Sequence, residues 1–128
     1  MSFIGKEYAF VKQENFEELV NTLGLTPEQA QGFINKHPNQ KLSKDGDNYT
    51  LVYFREVTFK SGVEFEEEIS NRKAQTTFTL DGNTLTQVQK FDDGIVFTTV
   101  RVFTDDELVV TLSYNKYDGK AIRYYKAI

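Results

Sequence analysis

The stretch IVFTTVRVF, residues 95–103, decides the fold because neither of its faces is simply polar or simply apolar. Alternate residues of a strand point to opposite faces, and one face here carries Ile95, Phe97, Thr99, Arg101 and Phe103. An antiparallel sheet with one dry and one wet face would separate polar from apolar residues more cleanly. A mixed inward face is instead expected of a closed barrel whose interior holds water and a ligand.

The last eight residues, AIRYYKAI (121–128), raise the same question of which face is inside. Arg123 and Tyr125 share one face of this strand, and Tyr124 lies on the other. An outward arginine is solvated by water, whereas an inward arginine requires an anion. From the residues alone, exposure of Arg101, Arg123 and Tyr125 on an ordinary sheet is the simpler interpretation, and an internal carboxylate site is the alternative.

The first third of the chain predicts one strand followed by two short helices. The strand is expected over residues 5–11. Asn15 with Glu18 three residues later has the pattern of a capping box, and Thr26 with Gln29 repeats it before the second helix.

From about Gln40 onward, Gly- and Asp-containing turn motifs such as KDGDN (44–48) and LDGN (80–83) recur and predict consecutive antiparallel hairpins. The segment YTLVYFREVTFK (49–60) breaks this rhythm, because it contains none of the residues that favour turns. Either a tight turn forms near residues 54–56, or the strand continues. A continuous strand would favour exchange of strands between two chains.

The length and composition exclude several classes of protein. Residues 1–128 are long enough for one domain with a buried core. With 15 basic and 19 acidic side chains the net charge is −4, which provides no electrostatic footprint for nucleic acid. The absence of cysteine excludes disulfides and thiolate metal sites. Neither a signal peptide nor a membrane-spanning run is recognisable, so we expect a cytoplasmic protein.

Catalytic and metal-binding motifs are sparse. His37 is the only histidine, which leaves little basis for a nucleophile activated by a histidine, and we expect it to face solvent at the end of the second helix. In EFEEE (64–68), Glu64, Glu66 and Glu68 share one face with Glu67 opposite, and a solvated strand is expected rather than a cation site. We therefore predict no catalysis, no metal and no cofactor.

A set of ordered segments along nearly the whole chain resembles the intracellular lipid-binding protein family, and the fatty-acid-binding members of invertebrates most of all. The segments are FIGKEY (3–8), ENF (14–16), FKSGVEFEE (59–67), LDGNTL (80–85), Arg101, and RYY (123–125) followed by Lys126.

This resemblance implies a mostly β fold, namely a clam-like, ten-stranded antiparallel up-and-down β-barrel with a two-helix lid after the first strand. It also implies intracellular, noncovalent transport of a long-chain fatty acid or related lipid. In the family two arginines and a tyrosine hold the ligand carboxylate, and the matching residues here are Arg101, Arg123 and Tyr125.

The acyl tail then requires apolar walls, and the lid requires a way to open. The candidates for the tail wall are Phe16, Phe33, Pro38, Val110 and Leu112. Two short helices are marginally stable alone, so local opening of the lid is expected to cost less free energy than opening the barrel. Transient contact with a membrane through the lid is expected as well.

The chain departs from the family pattern in one region that affects the portal. The stretch between Asp47 and Phe59 is several residues shorter than the hairpin that the family has there. A monomer is expected, and a strand-swapped dimer is the alternative. The rival functions are a retinoid or bile-salt carrier, and a barrel that is not a carrier and assembles as such a dimer.

Overall fold

The computed structural model describes residues 2–69 and 72–128. Ten strands and two helices make up this part of the chain. In chain order they are β1 (Glu7–Glu14), α1 (Phe16–Asn21), α2 (Pro27–Asn35), β2 (Gln40–Asp45), β3 (Asn48–Val52), β4 (Glu56–Phe59), β5 (Phe65–Ile69), β6 (Arg72–Asp81), β7 (Thr84–Phe91), β8 (Val96–Phe103), β9 (Glu107–Tyr114) and β10 (Ala121–Ala127).

All ten strands belong to one sheet, in the order β4-β3-β2-β1-β10-β9-β8-β7-β6-β5. Each neighbouring pair is antiparallel, and pairing of β1 with β10 joins the two ends of the chain within the sheet. The edges of the sheet are β4 and β5. The predicted ten-stranded antiparallel architecture with two helices after the first strand is confirmed. In the described part of the chain, no helix is both long enough and apolar enough to cross a membrane.

The second helix begins as its sequence predicts. The Thr26 side chain accepts a hydrogen bond from the Gln29 amide, and the Gln29 side chain accepts one from the Thr26 amide. This reciprocal pair satisfies two amide groups that a helix start leaves without partners. The capping box of α2 is therefore confirmed.

The predicted capping box of α1 is wrong. Asn15 has a left-handed backbone, with φ of 58°, and makes no side-chain cap. Its side-chain amide instead donates to the Tyr117 hydroxyl and to the Lys120 carbonyl oxygen, each at 2.9 Å. The side chain is therefore engaged with the connection between β9 and β10, a long-range contact that local sequence spacing does not reveal.

The first strand is displaced from its predicted range of 5–11, and it contains a bulge. β1 spans Glu7–Glu14, and its register with β10 shifts between Phe10 and Lys12, with Val11 exposed. An extra residue in a strand reverses the alternation beyond it. The bulge consequently turns Gln13 inward, where it pairs in register with Arg123.

The 49–60 segment forms a tight hairpin. β3 ends at Val52 and β4 begins at Glu56, which pair with each other, and the Tyr53 amide donates to the Arg55 carbonyl at 2.9 Å. The alternative of a continuous strand is therefore wrong. Phe54 at the tip is half exposed, and its ring contacts that of Phe33 on α2 with centroids 6.3 Å apart.

Buried apolar residues form two clusters, which lie at opposite ends of the interior. One cluster lies under the helices and contains Phe16, Leu19, Val20, Ala30, Ile34, Tyr114 and Ala121. The other, away from the helices, contains Phe3, Tyr8, Leu42, Leu51, Val57, Phe59, Phe78, Leu85, Phe103, Leu108, Val110 and Tyr125.

Between the two clusters lies a set of buried polar side chains. On β10, for example, Arg123 lies between Ala121 of the lid-side cluster and Tyr125 of the other cluster. We call this set the polar belt, and it consists of Gln40, Glu67, Thr76, Gln87, Gln89, Thr99, Arg101 and Arg123.

Candidate ligand-binding site

Arg101 on β8 lies on the interior face of the sheet, with only 2% of its surface exposed. Its Nε–H donates to Gln40 Oε1 at 2.9 Å, and its Nη1–H donates to Gln87 Oε1 at 2.8 Å. The guanidinium carbon also lies 4.9 Å from the centroid of the Tyr53 ring. Both hydrogen-bond acceptors are neutral amides, so these bonds orient the guanidinium without neutralising it.

Tyr125 on β10 is equally buried and belongs to the same network. Its hydroxyl oxygen accepts a hydrogen bond from Gln40 Nε2 at 3.1 Å. Gln40 therefore connects Tyr125 to Arg101 through the two ends of one side-chain amide.

Arg123 is also buried, but its guanidinium points to the lid. The Nε–H donates to Gln13 Oε1 at 3.0 Å, and Nη2 donates to the Phe33 carbonyl oxygen at 3.0 Å. The guanidinium carbon lies 3.7 Å from the centroid of the Phe16 ring. Arg123 thus contacts both helices as well as β1. The structure brings all three predicted head-group residues to the interior. Gln40 links Arg101 to Tyr125, whereas Arg123 donates to Gln13 on β1 and to the Phe33 carbonyl oxygen on α2.

Burial affects the protonation of the two arginines in the same direction. Removal from water lowers the pKa of Arg101. It also lowers the pKa of Arg123, which is less completely buried. For Arg101 this effect is partly offset by Tyr53, Tyr125 and Glu67. An arginine nevertheless stays charged in a protein, so the interior holds positive charge that an anion would stabilise.

The five predicted tail-wall residues occupy different parts of the interior and the lid. Phe16 belongs to the lid-side cluster, and Phe33 packs against it from α2. Val110 belongs to the other apolar cluster, and Leu112 packs against both clusters. Pro38, partly buried, lies in the connection between α2 and β2.

Sequence reasoning missed an acidic residue in the polar belt. Glu67 on β5 is buried, and its Oε1 accepts hydrogen bonds from Thr76 at 2.5 Å and from Gln89 at 3.1 Å. Its Oε2 lies 3.2 Å from Nη1 of Arg55, at the tip of the β3–β4 hairpin. The available signal was that Glu67 shares a strand face with Phe65, opposite the exposed Glu66 and Glu68.

His37 lies just beyond the end of α2, close to its predicted place at the helix end. Its ring stacks on that of Phe10, with centroids 4.0 Å apart. Within residues 2–69 and 72–128, no group of three or more His, Cys, Asp or Glu side chains is placed to hold a metal ion.

The chain was compared with known proteins. No family model matches it. Fatty acid-binding protein 2 of Manduca sexta is 40% identical over an alignment of 133 positions, which covers 99% of this chain and 100% of that protein. A solved structure of the fatty-acid-binding protein isolated from Manduca sexta has a TM-score of 0.87 and 39% identity, and it covers 98% of this chain and 99% of its own.

A more distant solved structure, the Schistosoma mansoni fatty acid binding protein in complex with arachidonic acid, has a TM-score of 0.86 and 28% identity. It covers 99% of this chain and 96% of its own. These relatives are binding proteins, so the prediction that the chain is not an enzyme is confirmed. The sequence identity over the full length and the shared fold together show that this chain belongs to the fatty-acid-binding protein family.

Proposed function

We propose that the protein binds a long-chain fatty acid noncovalently in its interior and carries it through the cytoplasm as a monomer. The observation that carries this proposal is Arg101, which is buried with two neutral amide acceptors. A charged group in such a place costs several kcal/mol unless an anion accompanies it. A fatty-acid carboxylate supplies that anion, and the family relatives named for fatty acids support this choice.

In the proposed complex, the carboxylate bonds to Arg101 and Tyr125, and Arg123 contributes the second guanidinium. Arginine presents a planar fork of donors that matches the two carboxylate oxygens. Gln40 and Gln87 hold the Arg101 fork in place before the ligand arrives, which lowers the ordering cost of binding.

The acyl tail extends from this head-group site along apolar side chains. Burial of each methylene contributes about 0.8 kcal/mol, so the tail supplies most of the binding free energy and the arginines select the carboxylate. The proposed contacts are Phe16, Phe33, Pro38, Val110 and Leu112.

Uptake and release are proposed to occur beside the helical lid. Phe54 of the β3–β4 hairpin is half exposed next to Phe33, so the lid region presents aromatic surface at the edge of the interior. Such a surface suits transient contact with a membrane during transfer of the ligand.

The function is tested by titrating delipidated protein with a fluorescent fatty acid and displacing the probe with oleate. Saturable binding and displacement are expected. Arg123→Leu should weaken oleate binding by about tenfold, the effect of losing one charge-assisted hydrogen bond. Lys126→Leu, at an exposed position of the same strand, is the matched control and should bind normally.

Two results would contradict the proposal. One is failure of oleate to displace the probe from correctly folded protein. The other is tighter binding of retinol or a bile salt than of oleate, since this would assign the interior to a different class of lipid.

A further inference from the structure

The buried carboxylate of Glu67 is not used by the proposed head-group site. Its Oε1 is held by Thr76 and Gln89, while Oε2 is fully buried and, among the described residues, accepts no hydrogen bond. A buried charged acceptor that lacks a hydrogen bond is costly, and such groups in native proteins often have a functional role. Among the described residues, Oε2 can therefore still accept a hydrogen bond.

Arg55 lies beside this oxygen but does not satisfy it. Its Nη1 is 3.2 Å from Oε2, close enough for an ion pair, yet the geometry is not that of a hydrogen bond. The Arg55 side chain is 30% exposed, whereas that of Glu67 is 1% exposed. The pair thus offers a donor and an acceptor side by side, with the acceptor on the interior side.

The tight hairpin between β3 and β4 places Arg55 beside Glu67. Only Tyr53, Phe54 and Arg55 separate β3 from β4, and the Arg55 side chain reaches from this turn to β5. β4 and β5 are the two edges of the sheet and do not pair with each other. The Arg55–Glu67 pair therefore connects the β3–β4 hairpin to β5 across this gap.

The chemistry of the pair selects one kind of ligand group. A hydroxyl can donate to Oε2 and accept from Arg55 at the same time. A ketone can only accept, a carboxylate is repelled by Glu67, and an ammonium group is repelled by Arg55. We propose that Glu67 and Arg55 form a second polar subsite that recognises a hydroxyl group on the chain of a bound fatty acid, so that the preferred ligands are hydroxy fatty acids.

The position of the pair fits a substituent on the chain rather than the head group. Gln87 bonds to Arg101, and Gln89, two residues further along β7, bonds to Glu67. Two residues of a strand span about 7 Å, so the two polar sites are separate but lie along one path. Gln89 pairs with Phe97, which packs against the lid-side cluster, so Glu67 lies on the lid side of Arg101.

This inference rests on the proposed function, because it assumes that the carboxylate lies at Arg101. The experiment is a competition assay with octadecanoic acids that carry one hydroxyl at successive mid-chain carbons, with the matching oxo acids, and with unsubstituted octadecanoic acid. At least one hydroxy acid should bind on the order of tenfold more tightly than its oxo analogue, as expected for one hydrogen bond to a buried charge.

The variant Glu67→Gln should abolish this preference, while unsubstituted octadecanoic acid still binds saturably. Glu66→Gln is the matched control, because Glu66 is the preceding residue of β5 and its side chain is 56% exposed. That variant should keep the preference. Circular dichroism and thermal unfolding of each variant verify that it is folded, and Glu67→Ser is a second variant if Glu67→Gln does not fold.

The outcomes separate the two proposals. If octadecanoic acid binds but no hydroxy acid is preferred over its oxo analogue, the hydroxyl subsite is refuted and the carrier function stands. A preference that persists in Glu67→Gln and Glu67→Ser also refutes the subsite. If none of the acids binds to folded wild-type protein, the carrier function itself fails.

Discussion

At the residue scale, Arg101 illustrates a charged group whose burial lowers the stability of the fold. It is 2% exposed, and burial lowers its pKa, which means that the folded state disfavours its charged form relative to the unfolded state. Because the arginine stays charged at every pH at which proteins are studied, this cost is present throughout and is not removed by titration.

Replacing this arginine by an apolar side chain of similar length should therefore stabilise the ligand-free protein. We expect Arg101→Met to raise the free energy of unfolding by about 1–2 kcal/mol, after loss of the bonds to Gln40 and Gln87, and to weaken oleate binding at least tenfold. Urea unfolding of delipidated protein measures the first effect and displacement of a fluorescent fatty acid the second. A destabilised variant with unchanged affinity would contradict this account.

The interior residues also show how far the sequence alone could lead. Alternation places Arg123 and Tyr125 on one face, but it cannot say which face is inside, because that depends on how the whole sheet curves. The resemblance to a family supplied that choice. Glu67 was missed because clustered glutamates suggest solvent exposure, although Glu67 shares a strand face with the partly buried Phe65.

At the element scale, α2 is held by its capping box and by one arginine. Thr26 and Gln29 close its first turn, and Arg123 bonds to the Phe33 carbonyl near its end. A helix of 9 residues is marginal without such support. The stability of α2 is therefore set by a few contacts, any of which can be removed individually.

Thr26→Ala removes the cap and should cost about 1 kcal/mol of local stability. Backbone amides of α2 should exchange with deuterium roughly fivefold faster, while those of β8 remain unchanged, because opening of α2 does not require opening of the sheet. Hydrogen-exchange mass spectrometry measures both. Thr79→Ala, at an exposed position of β6, is the control. Equal acceleration in α2 and β8 would indicate that the lid does not open locally.

The boundaries of the elements show which local signals are reliable. The capping box of α2 could be predicted because Thr26 and Gln29 bond only to each other's backbone within one turn. The predicted cap at Asn15 was wrong because its side chain bonds to the distant Tyr117 and not to its own helix. The bulge at Val11 was also missed, since a single extra residue changes the period of a strand without leaving a compositional mark.

At the scale of the whole molecule, two apolar clusters lie on either side of a belt of buried polar side chains. A protein built for stability alone would join the clusters into one core, because buried polar groups add less than well-packed apolar groups. The belt instead places Arg101 and Glu67 in the same interior. These buried charges therefore lower the stability of the fold, and in the proposed function a bound fatty acid offsets that cost.

This arrangement predicts a strong link between ligand and global stability. A ligand present at a hundredfold excess over its dissociation constant stabilises the native state by about 2.7 kcal/mol. For a chain of this size, the thermal midpoint should rise by roughly 8–13 °C when oleate is added at that excess. Differential scanning calorimetry of delipidated protein, at several oleate concentrations, measures the shift.

The same measurement on Arg101→Met distinguishes relief of a buried charge from burial of the tail alone. The variant should begin with a higher midpoint than the wild type, because the charge is gone, and should gain less from oleate at the same concentration. If the variant gained as much as the wild type, the tail would account for all of the linkage and the carboxylate would lie away from Arg101. A smaller rise of the midpoint from a higher starting value would instead link the cost of burying the Arg101 charge to the binding of the head group.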